Sequence, residues 1–150
     1  MDHFEDLAAG DTFDCGRAVA DRTEMVAFAE RFDPQPFHVD ADAAAGTPFG
    51  GVVASGWYTC ALCTRRLVAG CLEGLATTGG RGVDDLRWHE PLRPGDELAV
   101  TATVAERAVT SENRGEVRLR VEGDRVDGDE TEPLVGFDGL VLVSRRGAGE

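Results

Sequence analysis

Apolar and polar positions alternate without error from Glu116 to Glu122, which reads Glu-Val-Arg-Leu-Arg-Val-Glu. Strict period-two alternation predicts an antiparallel strand with one face buried and one in water. Leu98, Val100, Ala102 and Val104 form one face of a strand before it, and Val135 to Val143 reads as a final apolar strand. Leu86 and Trp88 alternate ahead of Pro91, and Leu-Arg-Pro-Gly-Asp at 92–96 places proline and glycine in favourable order for a turn. The acidic stretch from Gly123 to Pro133 is expected to be a solvated loop. Near the start of the chain, Thr12 to Val19 also alternates, with Phe13, Cys15 and Val19 on one side.

Between these strands the period changes to that of a helix. Asp21-Arg22-Thr23-Glu24 opens a short one, capped by Asp21 or Thr23, with Met25, Phe28, Ala29 and Phe32 as its buried stripe. It ends at Asp33-Pro34, because a residue before proline disfavours helical angles. Asp40 to Ala45 reads as a helical turn capped by Asp40. The longest helical pattern runs from Ser55 to about Leu72, with Trp57, Cys60, Ala61, Thr64, Val68 and Cys71 in step, widened by Leu62 and Leu67. Its first half carries no charge and is expected to be buried on most sides, surfacing at Arg65 and Arg66. A helix with that little polar surface needs a sheet around it. The predicted class is α+β, one domain over residues 1–150, with a curled antiparallel sheet wrapped around a long central helix.

Composition narrows the function. A net charge of −13 argues against nucleic-acid or anionic-membrane partners, which call for a basic face. The longest apolar run, Val52 to Ala61, falls short of the ~20 residues of a membrane span. The first residues, Met-Asp-His-Phe-Glu-Asp, lack the features of an export signal, so a cytoplasmic location is expected. All 15 basic residues are arginine, against 28 Asp and Glu. Two readings of that composition stand side by side: adaptation to a salty cytoplasm, where carboxylate repulsion is screened, and the codon bias of a GC-rich genome. Cys60 and Cys63 have CxxC spacing, but nothing nearby completes a metal site, and Cys15, Cys60, Cys63 and Cys71 read as buried free thiols.

The chemistry concentrates between Phe32 and Trp57. Asp33 and His38 sit five residues apart across Pro34 and Pro36, which points to an extended, bent loop. A carboxylate and an imidazole on one stiff loop can share a water and move protons on and off it near neutral pH. The following Thr-Pro-Phe-Gly-Gly turn leads into Ser55-Gly56, where a helix start offers backbone N–H groups to a developing oxyanion. Each residue has a plainer role too. Asp33 could make an Asx turn, His38 could be a satisfied loop histidine, and Ser55 reads first as a helix cap. His3 and His89 look incidental.

This pattern resembles the MaoC-like dehydratases, the (R)-specific enoyl-CoA hydratases of hotdog fold, whose loop reads Asp-x-Asn-Pro-x-His and is followed by His-Gly-Met. Asp33, Pro36 and His38 match position for position, Gln35 replaces the family's Asn, and Ser55-Gly56-Trp57 replaces its triplet. The resemblance implies Asp33 and His38 as the catalytic pair and Gly56, with Ser55, as the oxyanion site. It implies Thr64 as a hydroxyl facing the histidine, and Trp57, where the family often has methionine, as a residue that reshapes the acyl tunnel. It also implies an acyl-CoA substrate and a homodimer, with coenzyme A entering as substrate and no metal or redox cofactor. Arg65, Arg66, Arg81, Arg87 and Arg93 are the candidates for its phosphates. Two alternatives are a hotdog thioesterase, which wants a carboxylate on the central helix where Ser55 to Leu72 has none, and a non-catalytic acyl-binding subunit.

Overall fold

A computed structural model describes residues 1–147. Five antiparallel strands form one sheet: β1 (Thr12–Val19), β2 (Thr77–Trp88), β3 (Glu97–Val109), β4 (Arg114–Asp127) and β5 (Glu130–Ser144), in the spatial order β1-β3-β4-β5-β2. Before β2 come α1 (Arg22–Phe32), α2 (Pro36–Val39), α3 (Ala41–Ala45) and the long α4 (Gly56–Gly70). The alternation seen in the sequence sets the inner face. Leu98, Val100, Ala102 and Val104 of β3 and Val117, Leu119 and Val121 of β4 are buried in one core with Leu62, Cys63 and Leu67 of α4. The sheet curls around α4, which is the hotdog fold. Gly70 lets the end of α4 lie directly on β1, since a methyl there would overlap Cys15.

Three expectations need correction. First, most of the stripe assigned to the long helix is its outer face: Trp57, Ala61, Thr64 and Val68 are exposed and Cys60 is half-buried, while Leu62, Leu67 and Cys71 are buried as expected, together with Tyr58, Thr59 and Cys63. Being apolar nearly all round in its first half, α4 gives periodicity no means of telling the two faces apart. Second, residues 123–133 are no loop. β4 and β5 stay paired there, Val126 opposite Thr131, and reverse at Gly128, whose φ is +61°. Third, Phe32 is 65% exposed, so Met25 and Ala29 carry the inner face of α1.

β2 is longer than the sequence suggested. It begins in a glycine-rich stretch that carries little strand propensity and holds its place by pairing with β5. Its outer edge is unpaired by any strand among the described residues. A bulge between Asp84 and Arg87, with Asp85 at φ 53°, disturbs the ladder just before Trp88. Bulges of this kind re-aim side chains, and the Trp88 indole reaches the start of α4. All four cysteines are free, as expected, but only Cys15, Cys63 and Cys71 are buried, Cys60 being half-buried; burial pushes the Cys63 and Cys71 thiols up to about 12. Among the described residues, no helix is long and apolar enough to cross a membrane.

Candidate functional site

Two prolines shape the segment that carries the acid–imidazole pair. Pro34 ends α1, leaving Asp33 as its C-cap, and Gln35 is held extended before Pro36 at φ −71°, ψ 140°. Pro36 then opens a helical turn rather than prolonging an extended loop, because its fixed φ suits the first helical position. That turn, α2, rotates His38 inward to 7% exposure. His38 Nδ1 lies 2.8 Å from the Val53 carbonyl. A carbonyl can only accept, so the neutral ring carries its proton on Nδ1 and presents a bare Nε2. Nε2 stands 3.4 Å from Asp33 Oδ2.

Asp33 is held from two further sides. Ser55 Oγ donates to Oδ2 at 2.7 Å and Gln35 Nε2 donates to Oδ1 at 2.8 Å. These two bonds, with a smaller contribution from His38, hold its carboxyl below the usual carboxylate range against the opposing effect of burial. Ser55 has a second task, accepting from the Trp57 N–H at 3.2 Å as the N-cap of α4. One fully buried hydroxyl therefore joins the start of α4 to the carboxylate, a link 22 residues long that cap statistics alone do not reveal. The segment before it is fixed by Ala54 N–H donating to the Leu92 carbonyl at 2.9 Å.

Asp33, Gln35 and His38 share a cleft of about 480 Å³ with Gly56, Trp57 and Thr59, whereas Ser55, expected beside Gly56 at an oxyanion site, is fully buried behind its wall. Gly56 is the first residue of α4, so its N–H has no partner within the helix. A methyl at Gly56 would overlap the Trp88 indole, which packs over this helix start. Trp88 and His89 also line the cleft, and so does Glu90. From local pattern Trp88 has only a strand role and His89 looks incidental, because nothing local shows that the end of β2 returns to the start of α4. Thr64 is not brought to this cleft: its hydroxyl donates to the Cys60 carbonyl at 2.8 Å, further along α4. None of the five candidate arginines lines it either. Arg65 pairs with Glu24, Arg81 with Glu116, Arg66 with the Cys15 carbonyl and Arg87 with that of Leu86. Arg93 donates to the carbonyl of Phe49, a residue of the cleft wall, at 2.7 Å.

The architecture is thus a hotdog domain with a carboxylate–imidazole pair beside the start of its central helix. The chain belongs to the MaoC like domain family, whose model matches residues 8–125. Over 108 residues it is 34% identical to the 3-hydroxybutyryl-CoA dehydratase of Methylorubrum extorquens, covering 69% of this chain and 64% of that relative, so it spans less than two thirds of the relative's length. Among solved structures, the MaoC-like dehydratase from Rhodospirillum rubrum superposes with a TM-score of 0.84 at 38% identity, covering 97% of this chain and 99% of that one. The R-hydratase PhaJ1 from Pseudomonas aeruginosa, unliganded, shares the fold at 23% identity and a TM-score of 0.69, covering 99% and 92%.

Proposed function

We propose that the protein adds water across, or removes it from, the 2,3 bond of an acyl-CoA thioester, as an enoyl-CoA hydratase or (R)-3-hydroxyacyl-CoA dehydratase. The observation that carries this reading is the 3.4 Å approach of His38 Nε2 to Asp33 Oδ2 in a cleft that also contains Gly56. In the hydration direction, a water held by both side chains loses a proton to the bare Nε2 as its oxygen bonds to carbon 3. The π electrons of the 2,3 bond move to an enolate, whose oxygen is met by the Gly56 N–H and the positive end of α4. The imidazolium then returns its proton to carbon 2, leaving the enzyme unchanged. Asp33, kept ionised by Ser55 and Gln35, orients the water and balances the imidazolium rather than donating a proton itself. One pair handles both transfers, so hydrogen and hydroxyl add to the same face.

Proton transfer is sufficient for this chemistry, so the reading calls for no metal or redox cofactor, and coenzyme A arrives with the substrate. The uncovered apolar face of α4 and the free edge of β2 are where we place a second copy, in a homodimer. The test is loss of the ultraviolet absorbance of crotonyl-CoA. Turnover that falls by about 10²–10⁴ in Asp33→Asn and His38→Ala supports the reading. Release of free coenzyme A thiol would point instead to a thioesterase, and binding without turnover to an acyl-binding subunit.

A further inference from the structure

Along α4, the Asp33–His38 cleft is followed by a second cavity of about 240 Å³, lined by Trp57, Cys60, Thr64, Val83, Leu86 and Phe137. No charged side chain lines it. The Thr64 hydroxyl is committed to the Cys60 carbonyl, and burial pushes the Cys60 thiol up, so that it stays neutral near pH 7. Such a wall suits hydrocarbon. Trp57 is common to both linings. Its indole meets that of Trp88 edge to face, with centroids 5.1 Å apart and planes at 88°. Trp88 in turn rests on Gly56, the only residue type that leaves room for it. Trp57, held edge to face against Trp88, thus stands where the Asp33–His38 cleft meets the apolar cavity.

We propose that Trp57 and Trp88 form a wall that sets the length of the acyl chain. A short chain entering beside Asp33 and His38 ends against the indoles, and the cavity behind them is an extension that hydrocarbon fills only when the wall is cut back. This rests on the acyl-CoA reading above and names its substrate class as short-chain acyl thioesters. Each further methylene that gains entry is worth about fourfold in affinity. Four of them, the difference between butyryl and octanoyl, are therefore worth up to about 200-fold.

The experiment compares wild type, Trp57→Ala and Trp57→Phe by calorimetry with butyryl-CoA and octanoyl-CoA, which cannot be hydrated. A parallel arm follows turnover of crotonyl-CoA and 2-octenoyl-CoA. Trp57 lies outside the hydrophobic core of the chain, so its truncation spares the core, and the elution volume of each variant checks that the pairing of copies proposed above is unchanged. Wild type is expected to favour the four-carbon chain, and Trp57→Ala to raise the octanoyl-to-butyryl affinity ratio at least tenfold, with Trp57→Phe between the two. A ratio that Trp57→Ala leaves unchanged, or a wild type that already prefers octanoyl-CoA, overturns the wall. If the binding ratio shifts but no protein hydrates either enoyl-CoA, the wall stands and the hydratase reading falls. If wild type binds neither thioester, both fall.

Discussion

Replacing Ser55 by alanine removes two interactions at once, and pH separates them. The Trp57 N–H loses its cap, which costs about 0.5–2 kcal/mol. Asp33 Oδ2 loses the 2.7 Å bond from Oγ, and hydrogen bonds to charged groups are worth about 1.5–3 kcal/mol. Gln35 still holds the other oxygen, and the carboxylate retains 19% exposure, so it is not stranded. The combined cost at pH 7 is then about 2–5 kcal/mol, or about 4–20 °C in melting temperature for a chain of this size. Because Ser55 is the largest cause of the lowered Asp33 pKa, the charge-dependent part is present above the unfolded carboxylate value of about 3.9. It is lost as pH falls through the folded value, and only the cap remains.

The measurement is a pair of urea unfolding series, at pH 7 and near pH 3, with a carbon-13 titration of the Asp33 carboxyl. The Asp33 midpoint should rise in Ser55→Ala, and the stability gap between wild type and variant should shrink at low pH. Turnover should fall by about 10- to 100-fold, the scale of a misplaced catalytic group. An unchanged Asp33 midpoint with a stability gap that is flat in pH refutes the link between cap and carboxylate.

Three further outcomes follow from the same geometry. Asp33→Asn should keep a native circular dichroism spectrum while losing turnover, because the side chain sits at a helix end outside the hydrophobic core. Gly56→Ala should displace the Trp88 indole, costing about 1–3 kcal/mol and shifting tryptophan fluorescence; wild-type stability and emission would contradict the packing described. With 28 acidic residues against 15 basic ones, melting temperature should climb from 0.01 to 2 M potassium chloride, as the screening length falls from ~30 Å at 0.01 M to ~3 Å at 1 M. A flat profile leaves codon bias as the account of the composition.

The parts of the fold that could be read from sequence are those where local pattern and tertiary environment agree. Glu116–Glu122 alternates because one face of β4 meets α4 and the other meets water, and Asp21 caps α1 through a bond to the Glu24 N–H only three residues away. Gly95, in the 92–96 turn, adopts φ +87° as turn chemistry requires. The misread parts are those where partners are distant. The glycine-rich start of β2 is extended only because β5 lies beside it, and the acidic tip of the β4–β5 hairpin only because the two strands remain paired. The missed turn at α2 has a different cause. The two prolines between Asp33 and His38 point to an extended loop if proline acts only as a helix breaker, whereas Pro36 occupies the first helical position, which favours it.

The site divides along the same line. Asp33 and His38 could be seen as a pair because five residues and two prolines confine them whatever the rest of the chain does. Their surroundings could not. Ser55 reaches Asp33 from 22 residues away, and Trp88 reaches Gly56 across the return from β2 to α4. Gly56 shows how the two kinds of information combine. In the sequence it marks a helix start that offers backbone N–H groups, and that start does line the cleft. Yet the space beside its Cα is filled by an indole, so the same glycine that bares an N–H also seats Trp88. Loss of turnover in Gly56→Ala therefore cannot by itself identify an oxyanion site; the Trp57 variants, which leave the helix start intact, are needed to separate the donor from the wall.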